Sequence, residues 1–179
     1  MTSSRFARVL LVGFMGAGKT SVGRAVANGL GWRFIDFDDV VEVDAGMSVA
    51  ELFEAHGEAH FRELEHRAAR RLVLEDRVVL GSGGGWAAVP GWVAELPEET
   101  ATFWLQVSAE TALERVAEQR GRRPLLDGAD PLERAANLLI QRSSSYREAR
   151  WTVDTERSTV EDVSTQILHL LAEEARDKP

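Results

Sequence analysis

The sequence predicts an α/β protein of the P-loop NTPase class, built on a parallel sheet flanked by helices. Three observations carry that prediction. Residues 13–21 read Gly-Phe-Met-Gly-Ala-Gly-Lys-Thr-Ser, which fits the phosphate-loop pattern G-x-x-x-x-G-K-[ST]. An apolar run, Ala7 to Val12, leads into it, and Val22, Ala25, Val26 and Leu30 follow it at helical spacing. Further short apolar stretches then alternate with helical ones to the end of the chain, giving five strands in all. That order produces parallel strands joined by right-handed crossovers.

The glycine loop is the element the rest is organised around. Gly16 and Gly18 have no β-carbon, so the backbone can bend tightly and approach a ligand. From Gly16 through Ala17 and Gly18 to Ser21, backbone N–H groups and a helix N-terminus then face phosphate oxygens. Lys19 supplies positive charge for the β- and γ-phosphates, and Thr20 a hydroxyl for Mg²⁺. The competing account is an accidental glycine turn. The strand–loop–helix context argues against it, and Gly29 and Gly31 end that helix where a terminator is needed.

Trp32 to Asp36 is the second strand, running into the carboxylates of Asp36, Asp38 and Asp39. In extended chain Asp36 and Asp38 face the same side. In an open α/β sheet that position lies beside the ligand. One carboxylate there can hold Mg²⁺ or its waters, and the other can accept a proton from an attacking hydroxyl. The plainer alternative is that Asp38 or Asp39 caps the helix through Val40, Val41 and Val43.

Ser48-Val49-Ala50-Glu51 is a capping box that opens a helix carrying Leu52 and Phe53. Gly57 interrupts it, and a longer helix follows with Phe61, Leu64, Ala68, Leu72 and Val73 as its stripe. Arg62 and Glu65 are neighbours on one face, which taken alone suggests surface pairing. Val78 to Leu80 is the third strand, followed by Gly81-Ser82-Gly83-Gly84-Gly85-Trp86. Three consecutive glycines imply close approach by a ligand or backbone, with a flexible turn as the alternative.

Pro90 to Leu96 reads as a short helix ended by Pro97, and Thr102 to Val107 as the fourth strand. Ser108 caps a helix with Leu113 and Val116, on which Arg115 reads as solvated surface. Residues 120–131 break periodicity and hold three arginines, among them Arg123. Such a loop is either a solvated charge run or a lid that closes on the phosphates. Leu132 to Tyr146 is helical, Trp151 to Asp154 is the fifth strand, and Thr159 opens the last helix.

The length, 179 residues, fits a single domain. A net charge of −8 argues against nucleic acid or an anionic membrane as partner, and requires the Arg and Lys residues to be concentrated near the phosphates. There is no cysteine, which excludes disulfides and thiolate chemistry. No apolar run is long enough to span a membrane, and the lack of cysteine is compatible with a reducing cytoplasm. A cytoplasmic, monomeric enzyme is the expectation.

In their order, these pieces resemble the shikimate kinase family over nearly the whole chain. The resemblance rests on the loop at 13–21, Ile-Asp-Phe-Asp at 35–38 and Phe-Arg-Glu-Leu-Glu at 61–65. It also rests on Gly-Gly-Gly at 83–85, Arg-Pro-Leu-Leu at 123–126 and Gln-Arg-Ser-Ser-Ser-Tyr-Arg at 141–147. It implies a nucleoside-monophosphate-kinase-like core with strand order 2-3-1-4-5. It implies ATP-dependent phosphorylation of the 3-hydroxyl of shikimate with Mg²⁺, on the route to chorismate and the aromatic amino acids.

It also implies roles for individual residues. Residues 16–21 would hold the ATP phosphates, with Thr20 on Mg²⁺ and Asp36 reaching the metal through water. Asp38 would contact the reacting hydroxyl. Arg62 and Arg142 would grip the shikimate carboxylate, and Gly84 with Gly85 would line its ring. Arg123 would be the lid arginine, and Arg157 stands near the place of a basic residue beside the adenine. The resemblance divides the domain, residues 1–179, into an acceptor segment at about 36–65 and a lid at about 119–131.

One departure stands out. The position after the triple glycine is usually small in this family and is Trp86 here, which either packs outward or reshapes the acceptor pocket. Phe37, between the two aspartates, has no assigned role. The alternatives are a same-fold kinase of another hydroxy acid or polyol such as gluconate, a GTP switch, or a non-catalytic nucleotide-binding module. The chain lacks the N-K-x-D and D-x-x-G motifs a switch would use, and both carboxylates and the lid arginine speak for catalysis.

Overall fold

In the computed structural model, residues 5–118 and 130–176 are described. The expected lid, including Arg123, lies outside them apart from Asp130 and Pro131, which open a helix.

Five parallel strands form one sheet in the order β2-β3-β1-β4-β5, as the resemblance implied. The strands are β1 (Arg8–Val12), β2 (Arg33–Asp36), β3 (Val78–Gly81), β4 (Thr100–Gln106) and β5 (Trp151–Asp154). The helices are α1 (Lys19–Leu30), α2 (Phe37–Ala45), α3 (Val49–Leu72), α4 (Ala109–Glu118), α5 (Pro131–Tyr146) and α6 (Val160–Arg176). β1 lies between β3 and β4, and every one of its residues is buried. That is why it reads as a continuous apolar run: a strand covered by helices on both faces has no solvent side. Among the described residues no helix is long and apolar enough to cross a membrane.

The strand order places the site. The carboxyl ends of β1, β2 and β3 deliver the glycine loop, Asp36 and the triple glycine to one edge of the sheet. Ligands in open α/β sheets sit outside that edge. The Ser48–Glu51 capping box is present: Ser48 Oγ accepts from the Glu51 N–H at 3.3 Å, and Glu51 accepts from the Ser48 N–H at 2.7 Å. The break at Gly57 is also real, with φ 76° and ψ 174° inside α3. A small apolar cluster of Val41, Leu52, Phe61 and Ala68 joins α2 to α3 apart from the main core.

Two expectations are corrected. Pro90 to Leu96 is a series of turns, not a helix. Gly91 sits there at φ 87°, and its N–H donates to both Glu148 carboxylate oxygens at 3.1 Å, outside any helical ladder. β4 begins at Thr100, two residues earlier than the apolar pattern indicated, because Thr100 and Ala101 already pair with Arg8 and Val9.

Candidate active site

At the glycine loop, Gly16 and Gly18 have φ of 72° and 88°, left-handed values that a β-carbon disfavours. Gly18 precedes α1 without any side-chain cap, so the first N–H groups of the helix stay available to an anion. Lys19 Nζ donates to the carbonyls of Gly13 and Phe14, both at 2.9 Å. Thr20 Oγ1 donates to Asp36 Oδ2 at 2.9 Å.

Lys19, Thr20, Asp36, Asp38, Ser82 and Gly84 are among the residues lining one polar cleft of about 130 Å³. Among the described residues no cluster of three or more metal-ligating side chains exists. A hydroxyl beside a carboxylate fits Mg²⁺ all the same, since that ion is commonly held by one or two protein oxygens, phosphates and waters.

The carboxylates are arranged differently from the extended-chain expectation. β2 ends at Asp36, and α2 starts at once with Phe37. The cap is Asp36, whose Oδ1 accepts from the Asp38 N–H at 3.2 Å. Neither Asp38 nor Asp39 caps the helix. Asp38 lies in its first turn, where its charge suits the helix dipole, and it lines the cleft with Asp36; Asp39 is exposed.

The triple glycine forms the opposite wall. A β-carbon on Gly83 would overlap the Glu65 carboxylate, and one on Gly85 would overlap the Arg62 guanidinium. One on Gly84 would lie 3.7 Å from Arg142 Nη1. Gly83 and Gly85 are therefore required by close approach: they let the Glu65 carboxylate and the Arg62 guanidinium stand directly against the backbone, while Arg142 lies at ordinary contact distance from Gly84. Tyr146, fully buried on α5, donates its hydroxyl to the Gly84 carbonyl at 2.6 Å. Burial pushes its phenol up to about 12, so it remains a donor.

Arg62 is not a surface residue in a surface pair. It bonds exposed Glu58 at 2.9 Å, a contact worth under about 1 kcal/mol. It also bonds Glu65, which is 0% exposed. Burial works against the Arg62 cation, but the Glu65 and Glu58 carboxylates outweigh it and raise its affinity for the proton. Burial is likewise the largest influence on Glu65. Arg62 opposes it and nearby Asp38 reinforces it, leaving the carboxyl pushed up to about 7 from 4.5.

The folded protein therefore holds this proton more tightly than the unfolded chain does. The stability Glu65 contributes is complete below pH 4.5 and is lost as pH rises through about 7. Glu65→Gln should remove that loss, so the variant gains stability relative to the parent across this window. Denaturant titrations at about pH 5 and about pH 8 check it. A difference between variant and parent that does not change with pH would exclude Glu65 as the source.

A second opening, about 510 Å³, adjoins the glycine loop and is lined by residues including Gly16, Ser21, Arg115, Thr155 and Ser158. Arg115, read from sequence as solvated surface, is corrected here. Its guanidinium donates to the Thr155 carbonyl at 2.6 Å and to the Gly16 and Glu156 carbonyls at 3.3 Å. Glu156 in turn accepts from Thr111 Oγ1, the Ser108 N–H and Ser108 Oγ, which together hold its carboxyl below the usual range. Arg157 is exposed on the same connection and does not line the opening.

Comparisons with known proteins give the family. The family model described as shikimate kinase matches residues 15–172. The chain belongs to the shikimate kinase family. The shikimate kinase of Caldanaerobacter subterraneus is 39% identical over 160 residues, covering 89% of this chain and 93% of that one. The structure of shikimate kinase from Acinetobacter baumannii in complex with shikimate superposes with a TM-score of 0.88 at 32% identity, covering 94% of each chain. A gluconokinase from Sinorhizobium meliloti shares the fold, with a TM-score of 0.62 at 21% identity, covering 98% of this chain and 97% of that one.

The placement of Trp86, which follows the triple glycine, is now clear. Trp86 packs inward, 3% exposed, at the start of a short 3-10 turn, Trp86–Ala88. Its ring meets that of Phe37 edge to face, with centroids 5.4 Å apart. The two residues that the sequence left unexplained touch each other.

Proposed function

We propose that this chain catalyses the transfer of the γ-phosphoryl group of ATP to the 3-hydroxyl of shikimate, with Mg²⁺. The observation that carries the reading is a convergence. Beside a phosphate loop, one wall offers the Asp38 carboxylate, and the facing wall is glycine backbone with Arg62 and Arg142 directly behind it. A small molecule with a reactive hydroxyl at one end and a carboxylate at the other suits that polarity, because guanidinium forks bind carboxylates bidentately.

The residues divide the work as follows. Backbone N–H groups of residues 16–21 and Lys19 hold the phosphates and neutralise their charge. Thr20 and Asp36 would hold Mg²⁺, which when bound supplies further neutralisation of the transferring group. Asp38 orients the acceptor hydroxyl and takes its proton as the new O–P bond forms. The bond from the γ-phosphorus to the bridging oxygen breaks, and ADP leaves. Arg62 and Arg142 fix the acceptor carboxylate, and Gly84 and Gly85 admit its ring. Arg115 and the Thr155–Ser158 connection, with Arg157 on it, would flank the base. Arg123 would complete the phosphate contacts from the lid segment.

An ADP-release assay across an acceptor panel tests the substrate. Shikimate should give a far higher kcat/KM than gluconate or other polyol acids. A preference for gluconate would overturn the acceptor while leaving ATP-dependent phosphoryl transfer intact.

A further inference from the structure

Behind the acceptor walls, four rings form a continuous line that phosphoryl transfer itself does not call for. Phe37 meets Trp86 edge to face at 5.4 Å and 84°. Trp86 meets Trp92 at 5.6 Å. Trp92 stacks on His66 at 4.1 Å and 29°. Three of these rings are chain neighbours of residues at the site: Phe37 precedes Asp38, Trp86 follows Gly85, and His66 follows Glu65.

We propose that Trp86 is a positioning residue for the reaction: through Phe37 it sets the separation between Asp38 and the Gly83–Gly85 wall. This rests on the reading of Asp38 as the group at the reacting hydroxyl.

The mechanics follow from the packing. Gly83, Gly84 and Gly85 have no side chains, so this wall cannot brace itself against α2. Trp86 is the first residue after it that can, and the 3-10 turn starting there leaves no slack between ring and wall. Phe37 is 0% exposed and is the first residue of α2, one peptide from Asp38. Interiors are close-packed, so a displaced ring moves what it touches.

Filling space alone does not account for an indole here. Its Nε1–H is buried and has no acceptor among the described residues, a penalty that a purely apolar side chain would avoid. What the indole adds is reach, touching Phe37 on one side and Trp92 on the other. Neither proposed acceptor arginine contributes to the four-ring line, although the Gly85 backbone beside Trp86 stands against Arg62. Loosening the line should therefore change the distance to Asp38 more than the grip on the acceptor.

Trp86→Leu keeps the site apolar with a smaller side chain that has no ring edge, and Trp86→Phe keeps an edge toward Phe37. Trp86→Leu should lower kcat by about 10-fold or more, because small misplacements of a reacting group are costly. Acceptor and ATP KM should stay within about 2-fold, the pattern of an interaction expressed in the transition state. Trp86→Phe should recover most of the lost kcat. Phe37→Leu should show the same kcat-selective loss, and the double variant Phe37→Leu/Trp86→Leu should be no worse than either alone, since both remove one shared contact.

Wild-type kcat in Trp86→Leu would overturn the proposal. So would a fall in kcat and Tm accompanied by a comparable rise in both KM values, or fully additive losses in the double variant. If Trp86→Leu does not fold, Phe37→Leu decides by the same criteria. Failure of the Asp38 reading is separable, because it shows as near-normal turnover in Asp38→Asn with Trp86 intact.

Discussion

Asp38→Asn should retain ATP binding and lose most turnover, with kcat falling by roughly 10²–10⁴-fold, the usual contribution of a positioned general base. The substitution is close to isosteric, and the structure shows why the fold should tolerate it. The cap of α2 is Asp36, not Asp38, so the helix keeps its first hydrogen bond from the Asp38 backbone N–H. What is lost structurally is one negative charge in the first turn of a helix, worth under about 1 kcal/mol. In the proposed reading ATP would contact the glycine loop, Lys19 and Thr20, and the hydrogen bonds described for those two side chains go to Gly13, Phe14 and Asp36, not to Asp38. Steady-state kinetics with shikimate, paired with nucleotide titration, measures both halves. Turnover near that of the parent would leave Asp38 as a helix-dipole residue without a chemical role.

Sequence made the nucleotide side legible because its chemistry is local. A phosphate loop is a run of nine residues whose spacing alone dictates strand, turn and helix. The capping box at Ser48 and Glu51 was readable for the same reason, since both partners lie three residues apart.

Where function depends on distant partners, the residues gave a different answer or none. Arg115 sits on an amphipathic helix and looks solvated. Its acceptors are Gly16, 99 residues away, and Thr155, 40 residues away; the pairing of β4 with β1 on one side and β5 on the other brings them together. Glu65 and Arg62 follow the spacing of an ordinary surface pair, yet the triple glycine folds over them and buries one partner. Phe37 and Trp86 each looked anomalous, and no local rule connects positions 49 apart in sequence. Their edge contact depends on β2 and β3 being adjacent, which is a property of the sheet order. The resemblance to a family supplied roles for Arg62 and Arg142 that physical reading of their local patterns could not. Conversely it supplied no role for Trp86.

The acceptor side therefore has two demands on one arginine, and Arg62→Ala should expose both. A charge-assisted hydrogen-bonding partner contributes about 1.5–3 kcal/mol, so its loss should raise the acceptor KM by about 10- to 100-fold. The ATP KM should hold, because nothing in the nucleotide cleft is touched. The second effect falls on folding. Glu65 would remain 0% exposed with its strongest counter-charge gone, and breaking such a buried pair from one side costs about 3 kcal/mol. The carboxyl, already pushed up to about 7 by burial, would rise further and take up a proton instead of staying charged.

A companion variant separates the two effects. Arg62→Ala/Glu65→Gln replaces the orphaned carboxyl with an amide that has no ionised form and should recover most of the lost stability, while the acceptor KM stays high. Urea unfolding and steady-state kinetics on the same three proteins distinguish the outcomes. If the double variant regained acceptor affinity along with stability, Arg62 would serve to neutralise Glu65 and not to hold the acceptor. If Arg62→Ala left the acceptor KM unchanged, the carboxylate grip would fall to Arg142 and the Gly84–Gly85 backbone alone.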